Sequence, residues 1–432
     1  MVACAVEWSR PVTGTVTARE KSIRRRMSGG YRRLVQSTVA VRELTPDDMP
    51  AAWALGARAF GYDPQPPPDA AGPTTPGTTR YGAFDPAGRL LGKAVDLHHE
   101  QWWSGRAVSA ADVAGVAVAP EARGRGVARA LLTALLRGAR ERGAAVSALF
   151  PTIIGPYRAC GWEVAGALRT VDLVTANLPR YRPAPHLTVR AATAEDMPAV
   201  ADLYERVARH RRGLLTRRGE LFDHLGATTD LPADGVTLVE HDGDLVGYVS
   251  WDRGRGYGPD SVLTVFDVLA TTPDAARELV GVLASWRSVA PTLRMRLLDG
   301  DAVTAQLPLE TLREHRQQPW MHRPVEVTRA VRERGWPPYA RGSVEFTLDD
   351  DLADWNTGAW RLEVADGAAE LSRATGEPAL HLSVPGFARL YAGATDAESL
   401  VQAGQLRHGP GADPRLLDLL AVGGPAHLLD YF

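Results

Sequence analysis

A strand-to-helix motif occurs twice in this chain, and the two copies stand a domain's length apart. Val41-Arg42-Glu43-Leu44-Thr45-Pro46-Asp47-Asp48-Met49-Pro50-Ala51 returns as Val189-Arg190-Ala191-Ala192-Thr193-Ala194-Glu195-Asp196-Met197-Pro198-Ala199. In each, Thr45 or Thr193 reads as an N-cap, with Asp48 or Asp196 three positions later as in a capping box. Pro46 suits the first helical position. Apolar residues at helical spacing follow over Ala51–Phe60 and Ala199–Val207. A strand–turn–strand signal comes next, around Asp85-Pro86-Ala87-Gly88 in one copy and Asp242-Gly243 in the other. A chain that repeats this order of elements folds as two similar domains in tandem.

The 432 residues leave room for a third domain at ~150 residues each. Leu178-Pro179-Arg180-Tyr181-Arg182-Pro183-Ala184-Pro185 reads as the linker between the copies. Beyond residue 318 the texture changes. Pro319–Pro324 leads to a helix over Val325–Gly335, Gly342–Leu348 and Trp360–Val364 read as strands, and Val384–Tyr391 opens a short mixed region. The expected division is 1–38, an extension with Arg24-Arg25-Arg26 and Arg32-Arg33 and no periodic pattern, then domains at 39–182, 183–317 and 318–432. The expected fold class is α/β (α+β).

Composition removes several function classes. A net charge of −2 gives no electrostatic ground for nucleic-acid or membrane-surface binding. Cys4 and Cys160 are too few for a disulfide framework, lack metal-ligand spacing and fit a reducing cytoplasm. No apolar run reaches the ~20 residues of a membrane helix.

The chemistry is concentrated in Gly115-Val116-Ala117-Val118-Ala119-Pro120-Glu121-Ala122-Arg123-Gly124-Arg125-Gly126-Val127-Ala128-Arg129. A short apolar strand meets Pro120, a loop alternates Arg with Gly, and an Ala/Leu-rich helix follows. The free N–H groups and dipole at such a helix start favour a phosphate. Gly124 and Gly126 permit close backbone approach, and Arg123 and Arg125 add charge and donors. A P-loop would need Gly-Lys-Ser/Thr here, and a dinucleotide fingerprint a third glycine where Arg129 stands. The remaining pattern, V-x-V-x-P-x-x-R-G-x-G-x-A, resembles the acyl-coenzyme A loop of the GNAT superfamily of N-acetyltransferases. The second copy has Val265-Phe266-Asp267-Val268-Leu269-Ala270-Thr271-Thr272-Pro273-Asp274 instead. Without Arg-Gly-x-Gly, and with Asp267 and Asp274 expected to repel a pyrophosphate, it is read as a degenerate domain. One acetyl-CoA per chain is expected.

Acetyl transfer leaves a thiolate, of ordinary pKa near ~8.5, and a phenol near ~10 is the expected proton donor. Tyr157 is the candidate, in Phe150-Pro151-Thr152-Ile153-Ile154-Gly155-Pro156-Tyr157-Arg158-Ala159-Cys160-Gly161-Trp162 after the strand Ala145–Phe150. The plainer reading makes it a packed aromatic whose hydroxyl bonds a backbone carbonyl. Tyr-x-x-x-Gly-aromatic, two acetyltransferase-like domains, a third α+β domain and a final aromatic residue together resemble the Eis (enhanced intracellular survival) family.

The resemblance covers about residues 39–432. It implies an N-acetyltransferase of small-molecule amines, often aminoglycosides, with a sterol-carrier-like third domain and a hexameric assembly. It assigns Tyr157 as general acid and the C-terminal carboxylate of Phe432 as general base. It places cofactor contacts on Val116, Ala117 and Val118, on Gly124, Arg125, Gly126, Val127, Ala128 and Arg129, and on Thr152 and Ile153; Arg123 joins them by its charge. The Val118 N–H is an expected donor to the thioester carbonyl. A carboxylate with a solution pKa of ~3.3–3.7 must be desolvated, act through water, or orient the amine. The chain departs from the family in its loop and in carrying Ile153 and Tyr431 where acids are common, so polycations should bind less well; Asp63 and Asp430 remain candidate acids. Two alternatives stay open: a tandem acetyltransferase of mycothiol-synthase type, complete with two domains, and a non-catalytic acyl-CoA-binding scaffold.

Overall fold

The computed structural model describes residues 39–65, 75–226 and 233–432; the expected basic extension 1–38 lies outside them. The first repeat unit contains β1 (Ala40–Glu43), α1 (Met49–Phe60), β2 (Thr78–Phe84), β3 (Leu90–Trp103), β4 (Arg106–Val118), α2 (Val127–Arg142), β5 (Val146–Leu149), α3 (Ile154–Arg158) and β6 (Glu163–Val174). The second contains β7 (Leu187–Ala191), α4 (Met197–Ala208), β8 (Arg212–Leu215), α5 (Glu220–His224), β9 (Gly235–His241), β10 (Asp244–Asp252), β11 (Val262–Ala270), α6 (Pro273–Ser285), β12 (Thr292–Leu297) and β13 (Arg313–Pro324). The third contains α7 (Val327–Glu333), β14 (Gly342–Asp349), β15 (Gly358–Ala365), β16 (Ala368–Arg373), β17 (Leu380–Ser383), α8 (Val384–Tyr391), α9 (Ala397–Gln402) and β18 (Leu406–His408).

The repeated motif forms the same local structure twice. Thr45 and Asp48 make a reciprocal capping box, as do Thr193 and Asp196, each around a short 3-10 turn ahead of its α-helix. The motif's arginine has a role that the sequence reading did not assign. Arg42 pairs with Asp48 at 2.6 Å and Arg190 with Asp196 at 2.7 Å, so each box aspartate ties the strand to the turn. Both pairs are partly exposed, and their contribution is screened accordingly.

The two units share one sheet, in the order β1-β2-β3-β4-β5-β13-β6-β12-β11-β10-β9-β7. β13 enters between β5 and β6, antiparallel to both, and β6 passes on to pair with β12. Each unit thus completes the other's sheet. β13 also runs across residues 317 and 318, where the change of texture suggested a boundary, and the Pro319–Pro324 segment is its second half. β8 adds a further link by pairing with the far end of β3, Leu215 opposite Gln101 and Arg212 opposite Trp103.

Apolar spacing fixes the helix that carries the loop. In α2, Val127, Leu131, Leu132, Leu135, Leu136 and Ala139 are buried on one face against the first unit's strands. Each large aliphatic among them contributes roughly 1.5–3 kcal/mol by leaving water. Gly92 on β3 makes the approach close, since a Cβ there would stand 2.9 Å from Val127 and 3.0 Å from Leu131.

The third unit is a five-stranded sheet, β16-β15-β14-β17-β18, with β14 and β17 parallel. It is fastened to the first unit by Arg323 at the end of β13. This fully buried guanidinium donates to Asp350 and to the Cys160 carbonyl, both at 2.5 Å, and lies over the Trp162 ring. Burial without such partners would be prohibitive for a charge.

Candidate active site

The loop found in the sequence begins where two parallel strands part. β4 pairs with β5 at Ala110 opposite Val146 and at Val113 opposite Leu149, and then continues to Val118 beside β3 alone. A bulge helps to turn it away: Gly115 and Val116 together fall between the Val95–Ala114 and Lys93–Ala117 pairs. Gly115 has φ 57, in the left-handed region.

The base of the fork is braced by a residue that the sequence reading missed. Asp112, fully buried, accepts the Ala148 N–H at 2.9 Å, pairs with His99 Nδ1 at 3.0 Å, and accepts from Gln101 Nε2 at 3.3 Å. Its carboxylate satisfies a strand N–H just before the strands separate. No motif spacing announces it, because its partners come from two other strands.

At Val118 the backbone faces the fork. Val118 stands opposite Gly92, and the next N–H, Ala119, donates to Leu91 at 2.8 Å. Bonds alternate along an antiparallel pair, so Val118 directs its N–H and C=O away from β3, toward the opening. Its carbonyl takes Arg123 Nε at 3.4 Å.

Beyond Pro120–Ala122 the chain reaches Gly124 at φ 74 and Gly126 at φ 79, and α2 starts at Val127. A Cβ on either glycine would meet nothing within 4 Å, so these glycines serve the left-handed backbone and the open approach, not internal packing. No side chain caps the helix, and Arg123, Gly124, Arg125 and Gly126 are exposed. An uncapped helix start with two exposed arginines fits a pyrophosphate. Val127 is buried beneath it and Ala128 half-buried. Arg129 faces elsewhere, donating to the Ala159 and Asp351 carbonyls at 3.3 Å each, and so ties the loop to α3 and to the third unit.

The other wall of the fork ends at Phe150, followed by Thr152 and Ile153, both exposed, with Ile153 at 64%. Tyr157 lies on the short helix α3, half-buried against the first unit's core. Its carbonyl accepts from Cys160 and Trp162, but its hydroxyl has no hydrogen bond to another described residue. The structure thus lacks the backbone bond that the plainer reading required. Burial, with Cys160 nearby, pushes the phenol up to about 12. A proton held that firmly is a poor candidate for full transfer to a thiolate near ~8.5. Tyr157 is instead suited to donate a hydrogen bond to the departing sulfur while remaining neutral, which sharpens the role expected from an ordinary phenol.

The chain's end arrives from the opposite side. The Phe432 ring packs 5.3 Å from Phe150 and 5.3 Å from His99, and Tyr431 lies 4.7 Å from Phe150. Leu428 and Leu429 are buried. The fold therefore brings the terminus to the end of β5, one residue short of the Pro151–Ile153 turn. Among the described residues no hydrogen bond or ring contact joins Phe432 to Tyr157, and no ion pair takes up the terminal carboxylate. Asp430, expected as a free acid for cationic substrates, is already paired with Arg217 at 2.9 Å. Asp63 remains exposed and accepts the Gln65 N–H.

The fork, the bulge and the Arg-Gly loop define an acyl-CoA-type acetyltransferase domain, and comparison with known proteins agrees. The acetyltransferase (GNAT) domain family matches residues 40–165 and a second GNAT family matches 213–332; the sterol carrier protein domain family matches 327–428. An N-acetyltransferase of Streptomyces avermitilis is 27% identical over 333 residues, 71% of this chain and 78% of that protein. The crystal structure of a GCN5-related N-acetyltransferase from Kribbella flavida is 28% identical with a TM-score of 0.77, covering 92% of this chain and 99% of that one. Eis1 from Mycobacterium abscessus, 22% identical with a TM-score of 0.70 over 91% of this chain and all of that one, shares the fold. The chain belongs to the GNAT superfamily: it is an N-acetyltransferase with two GNAT domains and a sterol-carrier-type domain. No helix among the described residues is long and apolar enough to cross a membrane.

Proposed function

We propose that this enzyme moves acetyl from acetyl-CoA to an amine of a small molecule, in the manner of Eis-type enzymes, at a single site in the first GNAT domain. The observation that carries this reading is the open fork of β4 and β5, with the uncapped Arg-Gly loop on one wall and the chain terminus packed at the end of the other.

Bound acetyl-CoA supplies an activated thioester. Arg123, Gly124, Arg125, Gly126, Val127 and Ala128 form the pyrophosphate end of the site, to which Arg129 offers its backbone while its side chain anchors the loop. Val116, Ala117 and Val118 line the fork, with Thr152 and Ile153 across from them. The Val118 N–H stabilises charge on the thioester oxygen. As the amine nitrogen bonds to the carbonyl carbon and the carbon–sulfur bond breaks, Tyr157 donates a hydrogen bond to the sulfur. The amine proton passes to the Phe432 carboxylate, through water or after desolvation. The likeness to Eis enzymes extends the proposal to aminoglycosides as acceptors and to a hexamer, which sedimentation would test. The pairing of Asp430 with Arg217 leaves the acceptor side less acidic than its sequence suggested, which favours amines with apolar bodies within the same class.

The decisive assay follows thiol release from acetyl-CoA against aminoglycosides, polyamines, lysine-containing peptides and arylalkylamines. Release with at least one panel, together with a binding heat for acetyl-CoA, is expected. Absence of both would end the proposal.

A further inference from the structure

The second GNAT domain retains the fork and fills it from within. β11 and β12 run parallel from Val262 opposite Thr292 to Val265 opposite Met295, and there the pairing stops. As in the first domain, a bulge lies at this point: Phe266 falls between the Trp251–Val265 and Ser250–Asp267 pairs. Past the fork, the first domain offers an open loop. The second presents Arg296, which holds the chain's last residues directly, and Asp267, which holds them through Arg217.

Asp267 is buried and ion-paired with Arg217, which also reaches Asp430 at 2.9 Å; Tyr248 donates to Asp267 at 2.9 Å. Arg217 lies over the Tyr204 ring at 3.8 Å. Its backbone sits at φ 53, a costly conformation for a residue with a side chain, kept because these contacts over-determine it. Burial works against both charges, yet their attraction prevails: Arg217 is held well above its ordinary value and Asp267 below the usual carboxylate range. Arg296 on β12 donates to the Leu429 carbonyl at 2.7 Å. Upstream, the His427 N–H donates to the Arg212 carbonyl at 2.7 Å, and Gly213, at φ 90, leaves room where a Cβ would stand 2.6 Å from the His427 carbonyl.

We propose that the second domain's cofactor-type fork has become the seat of the chain terminus, with Arg217 and Asp267 as positioning residues for acetyl transfer in the first domain. They act through Asp430, two residues before the Phe432 carboxylate. This rests on the assignment of that carboxylate to the reaction. It also gives the degenerate domain a catalytic use: a chain end fixed by two charges and an arginine-bound carbonyl cannot wander from the amine.

Asp430→Asn tests this best, because it leaves the Arg217–Asp267 pair and hence the domain intact. The expected result is a fall in kcat of about 10- to 100-fold with acetyl-CoA affinity unchanged, as for a group displaced by about an ångström. Carboxypeptidase A should also release Phe432 from the folded variant about tenfold faster than from the wild type, by the loss of roughly one charged contact. Asp430→Glu should recover part of both. The two changes together support the inference; either one alone, or neither, overturns it. A glycine appended after Phe432 separates the two readings. If that extension leaves turnover intact, the base assignment fails. If it abolishes turnover while Asp430→Asn changes nothing, the seat alone fails.

Discussion

The first and second GNAT domains open the same fork in the same sheet and put it to opposite uses. In the first, β4 leaves β5 after Val113, and the chain beyond it is exposed, cationic and glycine-rich, so a ligand can enter. In the second, β11 leaves β12 after Val265, and a buried acid draws in Arg217, Asp430 and the tail. Asp267 was expected to exclude a pyrophosphate by repulsion. The structure shows that charge offset by Arg217, which also pairs with Asp430 two residues before the end of the chain. The lesson is that a fork is a property of the fold, while its occupant is set by a few charges at its mouth.

This contrast can be broken at either fork. Tyr157→Phe should have the largest effect, lowering kcat by about 10²–10³-fold, as for loss of one donor to developing charge, with little change in stability or in acetyl-CoA affinity by calorimetry. Unchanged turnover would remove Tyr157 from the chemistry. Arg217→Met should do the reverse, leaving Asp267 buried without its partner and costing about 3–5 kcal/mol in a urea melt. A loss under about 1 kcal/mol, the range of exposed pairs, would show the second fork to be loosely held. Arg123→Glu with Arg125→Glu should weaken acetyl-CoA binding by about tenfold or more and flatten its salt dependence, with the tail cluster undisturbed.

The smallest expected effect is an absence. Tyr157 must keep its proton to serve the sulfur, and burial holds its pKa at about 12. Raising the pH through about 10 therefore should not reduce kcat by ionising it, whereas an unperturbed phenol would be half ionised there. An alkaline limb that is centred near that value and vanishes in Tyr157→Phe would refute the buried phenol. The Asp267 side has the opposite sign. A carboxyl held below its unfolded value stabilises the fold above that value, near ~3.9, and the benefit is lost as the pH falls through the folded one. Acid should thus loosen the second fork while leaving the protonation of Tyr157 unchanged.

Much of this was legible because it is local. Thr45 with Asp48 and Thr193 with Asp196 announce their caps within four residues, and Gly124 and Gly126 announce a left-handed loop by their identity. The placement of Tyr157 in a short turn of chain after a strand was legible in the same way. The strand nature of Pro319–Pro324 was hidden, because two prolines at its ends look like a linker and its partners, β5 and β6, lie far back in the chain. Asp112 and His99 carry no spacing signal, and Arg217 with Asp430 meet across more than two hundred residues.

By itself the sequence determined the two-domain repeat, the phosphate-type loop and the absence of that loop from the second copy, since each follows from short-range rules of helix starts, glycine dihedrals and charge. Only the tertiary structure decided that β13 would complete the first sheet, that Asp112 would brace the open fork, and that the tail would close the other one. Those outcomes depend on the pairing of distant strands and on which buried charge finds a partner, and neither is encoded in any window of neighbouring residues.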